Sequence, residues 1–124
     1  IPASLVLAQG ALESGWGTDA MSKRALNFFG QKTTSTRDYY GSPKTRYARF
    51  ESPVDSIHSY MMNLNSHPAY EHLRQIRANL RSRGKEVTGI DLLPGLLKYS
   101  TRGADYVKEL RGMIQQHFRN VNGG

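Results

Sequence analysis

Residues 27 to 50 interrupt the pattern of this chain and constrain its fold more than any other feature. On either side, apolar residues recur at helical spacing. Within the segment, Asn27-Phe28-Phe29-Gly30 is aromatic and turn-like, and Thr33 to Thr36 is polar. Tyr39-Tyr40-Gly41-Ser42-Pro43 joins β-forming residues to a turn, and Tyr47-Ala48-Arg49-Phe50 alternates like a short strand. The segment therefore reads as a small extended lobe with one hairpin, set between helices. The fold class is mainly α, with a minor β component.

The flanking helices can be placed from their caps and stripes. Pro2 suits a first helical turn, where its missing N–H is not needed. From Ala3 to Ser14, Leu5, Leu7, Ala8, Ala11 and Leu12 form a broad apolar surface, with Val6, Gln9 and Glu13 on a second stripe. Gly15 can end this helix in a left-handed conformation, and a short second helix spans Asp19 to Arg24. Ser52-Pro53-Val54-Asp55 starts the next helix with a cap, an N1 proline and an acid at N3; Ile57, Tyr60, Met61 and Leu64 line its inner face. After His67-Pro68, a helix from Ala69 to Arg81 buries Leu73, Ile76 and Leu80, and Gly84 ends it. Thr88-Gly89-Ile90-Asp91 caps a helix to Leu97, in which Pro94 forces a kink or marks the early turns. The last helix runs from Ala104 to Phe118, with Val107, Leu110, Ile114 and Phe118 inward, and the terminal glycines Gly123 and Gly124 fray.

A length of 124 residues suits one domain, residues 1–124, with 27–50 as its lobe. Lys+Arg number 17 against 10 Asp+Glu, a net charge of +7. That balance favours a polyanionic partner: nucleic acid, an anionic membrane or an anionic wall. The absence of cysteine excludes a disulfide scaffold, a Cys-ligated zinc site and a Cys nucleophile. No apolar run is long enough to span a bilayer. The chain opens at Ile1-Pro2 without an initiator Met or signal peptide, and reads as a domain excised from behind a targeting segment.

The stretch Leu12-Glu13-Ser14-Gly15-Trp16-Gly17 carries the most chemistry. Glu13 sits in the last turn of an apolar helix, beside the only Trp. The helix C-terminus disfavours a second negative charge there, and apolar surroundings disfavour the ionised carboxylate. A carboxylic acid kept protonated near neutral pH is what a glycosidase general acid must be. The bland alternative is a surface Glu at a frayed helix end.

Ala8-Gln9-Gly10-Ala11-Leu12-Glu13-Ser14-Gly15-Trp16-Gly17, followed by Asn27-Phe28-Phe29-Gly30, resembles the glucosaminidase domain of glycoside hydrolase family 73, a member of the lysozyme-like superfamily. The resemblance continues in Phe50-Glu51-Ser52-Pro53-Val54-Asp55-Ser56 and Asn63-Leu64-Asn65-Ser66-His67-Pro68-Ala69-Tyr70, and closes in Tyr99-Ser100-Thr101-Arg102-Gly103-Ala104-Asp105-Tyr106. It covers nearly the whole chain and is strongest with the Bax-type bacterial branch. It implies a helical lobe and a small extended lobe around a cleft. It also implies hydrolysis of peptidoglycan glycan strands as an endo-β-N-acetylglucosaminidase, with Glu13 as general acid and no cofactor. The same resemblance implies that Tyr106 lies in the cleft near Glu13, where its phenol meets the substrate's 2-acetamido group or orients the acid; otherwise it is a half-buried helix Tyr. Tyr99 is a weaker substrate contact. Asn27, Phe28 and Gly30 shape the cleft floor or form a plain turn, with Phe28 or Phe29 in the core. Trp16 either stacks on a sugar or packs behind the helix end.

Two-carboxylate glycosidases place a second acid across the scissile bond. Asp38 is the only acid between residues 31 and 49. Glu51 beside a cap and Asp55 at N3 read as structural. Either Asp38 serves as base from the lobe, or the substrate's own acetamido carbonyl assists. His58, His67, His72 and His117 lack zincin spacing, so no metal is expected, and Ser14 lacks a nucleophile-elbow context. Arg74, Arg77 and Arg81 fall on one stripe of a solvated face. No nucleic-acid-binding signature accompanies them, so the basic surface is assigned to peripheral association with the wall. The expected state is a monomer in the periplasm or at the cell surface. Two rivals remain: a muramidase or lytic transglycosylase on the same scaffold, and a non-catalytic wall-binding module.

Overall fold

The side chains of Asp19, Ser52 and Thr88 each cap a helix in a computed structural model that describes residues 1–121. The expected fraying of Gly123 and Gly124 lies outside the described residues. Backbone proximity divides the chain into two compact units, Gln9–Met62 and Ile1–Ala8 with Asn63–Gly124. The first long helix, α1 (Ala3–Ser14), starts on the carbonyl of Pro2, which accepts from the N–H groups of Leu5 and Val6 at 3.1 and 3.2 Å.

In the unit Gln9–Met62, the C-terminal part of α1 is followed by α2 (Ala20–Ala25), a hairpin and most of α3 (Pro53–Ser66). Asp19 caps α2 by accepting from Ser22 N at 2.7 Å. Ser52 caps α3 by accepting from Asp55 N at 3.1 Å, so Asp55 holds its expected place in the first turn. The core of this unit is a stacked pair, Phe29 on Tyr60, with ring centroids 4.1 Å apart. Gly10 lies against this pair: a methyl group there would come within 3.3 Å of the Phe29 ring. Buried Gln9 accepts a hydrogen bond from the Tyr60 hydroxyl. This corrects the expected stripes of α1. Gln9 turns inward because Tyr60 satisfies its carbonyl oxygen, whereas Leu7 is 44% exposed.

The hairpin pairs β1 (Tyr40–Ser42) with β2 (Thr45–Tyr47), antiparallel, with Tyr40 opposite Tyr47 and a two-residue turn at Pro43-Lys44. The second strand is earlier than the alternation of Tyr47 to Phe50 predicts. That alternating segment bonds elsewhere: Ala48 N donates to Gln31 O at 2.9 Å, which with Thr33 N to Arg46 O at 3.0 Å makes an isolated antiparallel bridge between Lys32 and Tyr47, and Phe50 N donates to Ala25 O at 2.8 Å. These bonds tie the end of the lobe to its beginning without extending the ladder.

In the other unit, the short 3-10 turn Pro68–Tyr70 leads into α4 (Glu71–Ser82). His67 caps the turn, its Nδ1 accepting from Ala69 N at 3.0 Å. The Thr88–Asp91 capping box starts α5 (Gly89–Leu92), but the chain then tightens to a 3-10 turn over Leu93–Leu96. The helix expected to reach Leu97 is therefore cut short at Pro94, which cannot donate to the α-helical ladder. Helix α6 (Ala104–His117) closes the unit. Leu5, Leu64, Leu73, Leu92, Leu93, Leu96, Leu110 and Ile114 are its fully buried aliphatic residues. Among the described residues, no helix is long and apolar enough to cross a membrane.

Candidate active site

Glu13 occupies the last turn of α1 and is half-buried. The residues after it reverse the chain through three successive positive φ angles, Gly15 (56°), Trp16 (58°) and Gly17 (76°). Glycine adopts this conformation freely; for Trp16 the left-handed region costs on the order of 1–2 kcal/mol. Local hydrogen bonds hold it. Trp16 N donates to Ala11 O at 2.8 Å. The buried Ser14 hydroxyl donates to Gly10 O at 2.5 Å and accepts from Gly17 N at 2.9 Å. The Thr18 hydroxyl donates to Gly15 O. Ser14 thus supports the helix end. The reversal leaves the Trp16 side chain 57% exposed rather than packed behind the helix.

A second segment, Asn27 to Gly30, approaches the same carboxylate. Asn27 is fully buried, and both ends of its amide are engaged by backbone. Its Nδ2 donates to Gln31 O at 2.8 Å and Ala48 O at 3.0 Å; its Oδ1 accepts from Gln31 N at 3.1 Å and Phe29 N at 3.4 Å. The residue before it, Leu26, also has positive φ, 52°. Phe28 N donates to the Ser56 hydroxyl at 3.2 Å. Gly30 has φ 67°, and a methyl group on it would lie 3.5 Å from Glu13 Oε2. A methyl on Gly17 would lie 3.9 Å from the Phe28 ring. Turn 15–17 and loop 27–30 therefore converge beside Glu13, and Phe29 rather than Phe28 fills the core.

Asp38 is apart from this cluster in its bonding. Its side chain is 79% exposed and pairs with Arg49 Nε at 3.4 Å. Glu51 and Asp55 are exposed.

Tyr99 and Tyr106 are brought together in the other unit. Their rings stack with centroids 5.8 Å apart and 5° between planes, and Tyr70 lies 5.9 Å beyond Tyr99. Tyr106 is 1% exposed. The Arg102 guanidinium sits 5.6 Å from the centre of the Tyr106 ring and donates to Glu109 Oε2 at 2.7 Å. The sequence reading did not single out Arg102; its place four residues before Tyr106 is the signal that was available. Burial pushes the Tyr70 phenol above its ordinary range, partly offset by a hydrogen bond with Asn63. Among the described residues, no group of three or more His, Asp or Glu side chains is arranged to hold a metal ion.

Glu13 thus ends a helix that is followed in the chain by a small hairpin and further helices. The chain matches the Glucosaminidase family, described as mannosyl-glycoprotein endo-beta-N-acetylglucosaminidase, over residues 1–119, and belongs to that family. It is 39% identical over 122 residues to Protein bax of Escherichia coli (strain K12). The match covers 98% of this chain and 44% of that protein, so the chain spans less than half of its relative. The catalytic domain of the autolysin Auto from Listeria monocytogenes has a similar fold, with a TM-score of 0.66 and 22% identity over 93% of this chain and 71% of that one. The glycoside hydrolase domain of FlgJ from Salmonella typhimurium is similar too, with a TM-score of 0.64 and 24% identity over 96% and 76% of the two chains. The mainly-α, lysozyme-like fold expected from the sequence agrees with these neighbours.

Proposed function

We propose that this chain hydrolyses bacterial peptidoglycan as an endo-β-N-acetylglucosaminidase, cutting the glycan backbone between N-acetylglucosamine and N-acetylmuramic acid. The observation that carries the reading is the carboxylate of Glu13, half-buried in the last turn of α1 beside Gly30. A carboxyl group at the negative end of a helix favours its neutral form, and a neutral carboxyl can protonate the leaving glycosidic oxygen. Water then attacks the oxocarbenium-like centre. The exposed indole of Trp16 offers a face to a sugar ring, and Gly30 leaves space next to the acid. Asn27 and Phe28 shape the floor of that space.

The second component is either Asp38 or the substrate's acetamido group. The exposure of Asp38 and its pairing with Arg49 favour the acetamido route. The same observation supports a second reading, lytic transglycosylation, because that reaction needs only one acid/base group. The net charge of +7 suits peripheral association with an anionic wall, in the periplasm or at the cell surface.

The test is digestion of purified peptidoglycan, borohydride reduction and mass spectrometry of the fragments, with Glu13→Gln in parallel. The expected result is new reduced N-acetylglucosamine ends, absent with the variant although it folds normally. Anhydro-muramic ends would move the enzyme to the lytic class, and full activity in Glu13→Gln would remove Glu13 from the mechanism.

A further inference from the structure

The register of the hairpin lobe lines up three side chains that the chemistry at Glu13 does not use. Tyr40 on β1 stands directly opposite Tyr47 on β2. On the other edge of β2, the isolated bridge sets Lys32 opposite Tyr47. Residues directly opposite in antiparallel pairs share a face, with Cβ atoms about 4.5–5.5 Å apart. Lys32, Tyr47 and Tyr40 therefore form a row about 10 Å long across one face of the lobe. Alternation along β2 sends Arg46, opposite Gly41, to the other face.

The row starts close to the acid. Lys32 is two residues beyond Gly30, at most about 7 Å along an extended chain. A methyl group on Gly30 would lie 3.5 Å from Glu13 Oε2. Asn27 pins the base of the lobe there, its Nδ2 donating to both Gln31 O and Ala48 O. Row, loop 27–30 and Glu13 all belong to the unit Gln9–Met62. Lys32 is exposed, and Tyr40 and Tyr47 are half-buried. Among the described residues, the Lys32 ammonium has no ionic or hydrogen-bonded partner, and neither phenol ring stacks on another aromatic ring. Asp38, the only acid between residues 31 and 49, is already paired with Arg49. Glu13 and Glu51 flank the base of the lobe, and neither forms an ion pair with Lys32.

We propose that Lys32, Tyr47 and Tyr40 form a subsite for an acidic sugar of the glycan strand. The phenol rings lie against the apolar faces of the sugar, and the Lys32 ammonium pairs with a carboxylate carried on its substituent. The inference rests on the glycan-cleaving reading of Glu13. An ammonium at one end of an aromatic pair fits a ring that is apolar on its faces and charged at one edge. A neutral glycan would leave that ammonium unused. In the wall polymer the carboxylate is either the sugar's own lactyl group, free once the peptide is removed, or one on the attached peptide.

The test is calorimetric titration of the Glu13→Gln chain, which does not consume the ligand, with soluble glycan strands in three forms. These are peptide-stripped strands, peptide-bearing strands, and stripped strands whose carboxylates are converted to methylamides. Adding Lys32→Gln is expected to weaken binding of stripped strands about fivefold and to leave amidated strands unaffected. Lys32→Arg keeps the affinity for all three forms. Tyr40→Ala weakens all three alike, after thermal melts confirm that each variant folds. A Lys32→Gln loss confined to peptide-bearing strands would keep the subsite and move the carboxylate to the peptide. Unchanged binding of both carboxylate-bearing forms, no binding of either, or an equal loss on amidated strands would overturn the proposal. Tighter binding of a single-stranded oligonucleotide than of stripped strands, lost in Lys32→Gln, would overturn it in favour of nucleic acid. Carboxylate-dependent binding without release of reducing ends by the Glu13-intact chain would sink the cleavage reading and leave the subsite standing. Cleavage with no such dependence would do the reverse.

Discussion

Replacing Asn27 with Ala removes a fully buried side chain that is bonded at both ends of its amide. Three of its hydrogen bonds have ordinary lengths: to Gln31 O at 2.8 Å, to Ala48 O at 3.0 Å and from Gln31 N at 3.1 Å. The fourth, from Phe29 N at 3.4 Å, is at the long edge and is discounted. Gln31 O keeps a partner in Ala48 N, but Gln31 N and Ala48 O each lose one. At about 1 kcal/mol net per bond, Asn27→Ala should cost about 3 kcal/mol. For a chain of this size that is a fall of roughly 10 °C in Tm. Asn27→Asp sharpens the test, because Oδ1 still accepts from Gln31 N and Phe29 N while a carboxylate oxygen replaces the Nδ2 donor facing two carbonyls. Burial and those carbonyls raise the introduced carboxyl above its unfolded value. Its protonated form is then favoured in the folded state. Stability is greatest below the unfolded pKa of about 3.9, declines as pH rises to the folded value, and is flat beyond it. Urea denaturation followed by circular dichroism across a pH series measures both effects. An Asn27→Ala chain within about 0.5 kcal/mol of the parent would refute the reasoning, since no buried hydrogen-bonding hub is that cheap to remove. If such a chain also lost substrate affinity, direct contact with substrate would be the role of Asn27.

Gly30→Ala places a methyl group 3.5 Å from Glu13 Oε2 at a φ of 67°; it should cost on the order of 1–2 kcal/mol in stability. Its kcat/KM should fall by more than the unfolded fraction explains, as read by a melt and a turnover assay at one temperature. Asp38→Asn breaks an exposed ion pair, so stability should change by less than about 1 kcal/mol. With the acetamido route, its turnover on peptidoglycan should stay within about tenfold of the parent, and a loss of about 100-fold would identify Asp38 as a positioned base. The Tyr70 phenol is raised by burial, so its contribution to stability is whole below the unfolded Tyr pKa of about 10 and is lost as pH rises through the folded value. Tyr70→Phe should flatten the alkaline decline, and an unchanged slope in urea melts above pH 10 would count against it.

Local signals were enough to place most helices. The Ser52, Thr88 and Asp19 caps start helices where capping chemistry predicts, and Gly15 and Gly84 take the left-handed conformations that end them. The features that escaped the sequence reading depend on distant partners or unusual backbone. Gln9 is buried because Tyr60, 51 residues away, donates to it. The alternating residues Tyr47 to Phe50 resemble a strand, but beyond Tyr47 their backbone partners are Gln31 and Ala25 rather than the ladder. Trp16 and Leu26 occupy positive φ although side chains with a Cβ disfavour it, so their type gives no hint of it. At the candidate site, Glu13 was legible because a lone carboxylate at an apolar helix end is chemically conspicuous. Gly30 was legible as part of a motif, but its approach to Glu13 Oε2 is set by loop geometry that Asn27 organises from within.

The Gly15-Trp16-Gly17 reversal also makes the angular phase of α1 a functional variable. Each residue advances an α-helix by about 100°. Inserting or deleting one residue upstream of Ser14 would therefore swing Glu13 a quarter-turn or more relative to the packed side of the helix, while leaving its identity and neighbours in sequence untouched. Substitution within α1 can be forgiving wherever volume is kept, but its length cannot vary by a single residue.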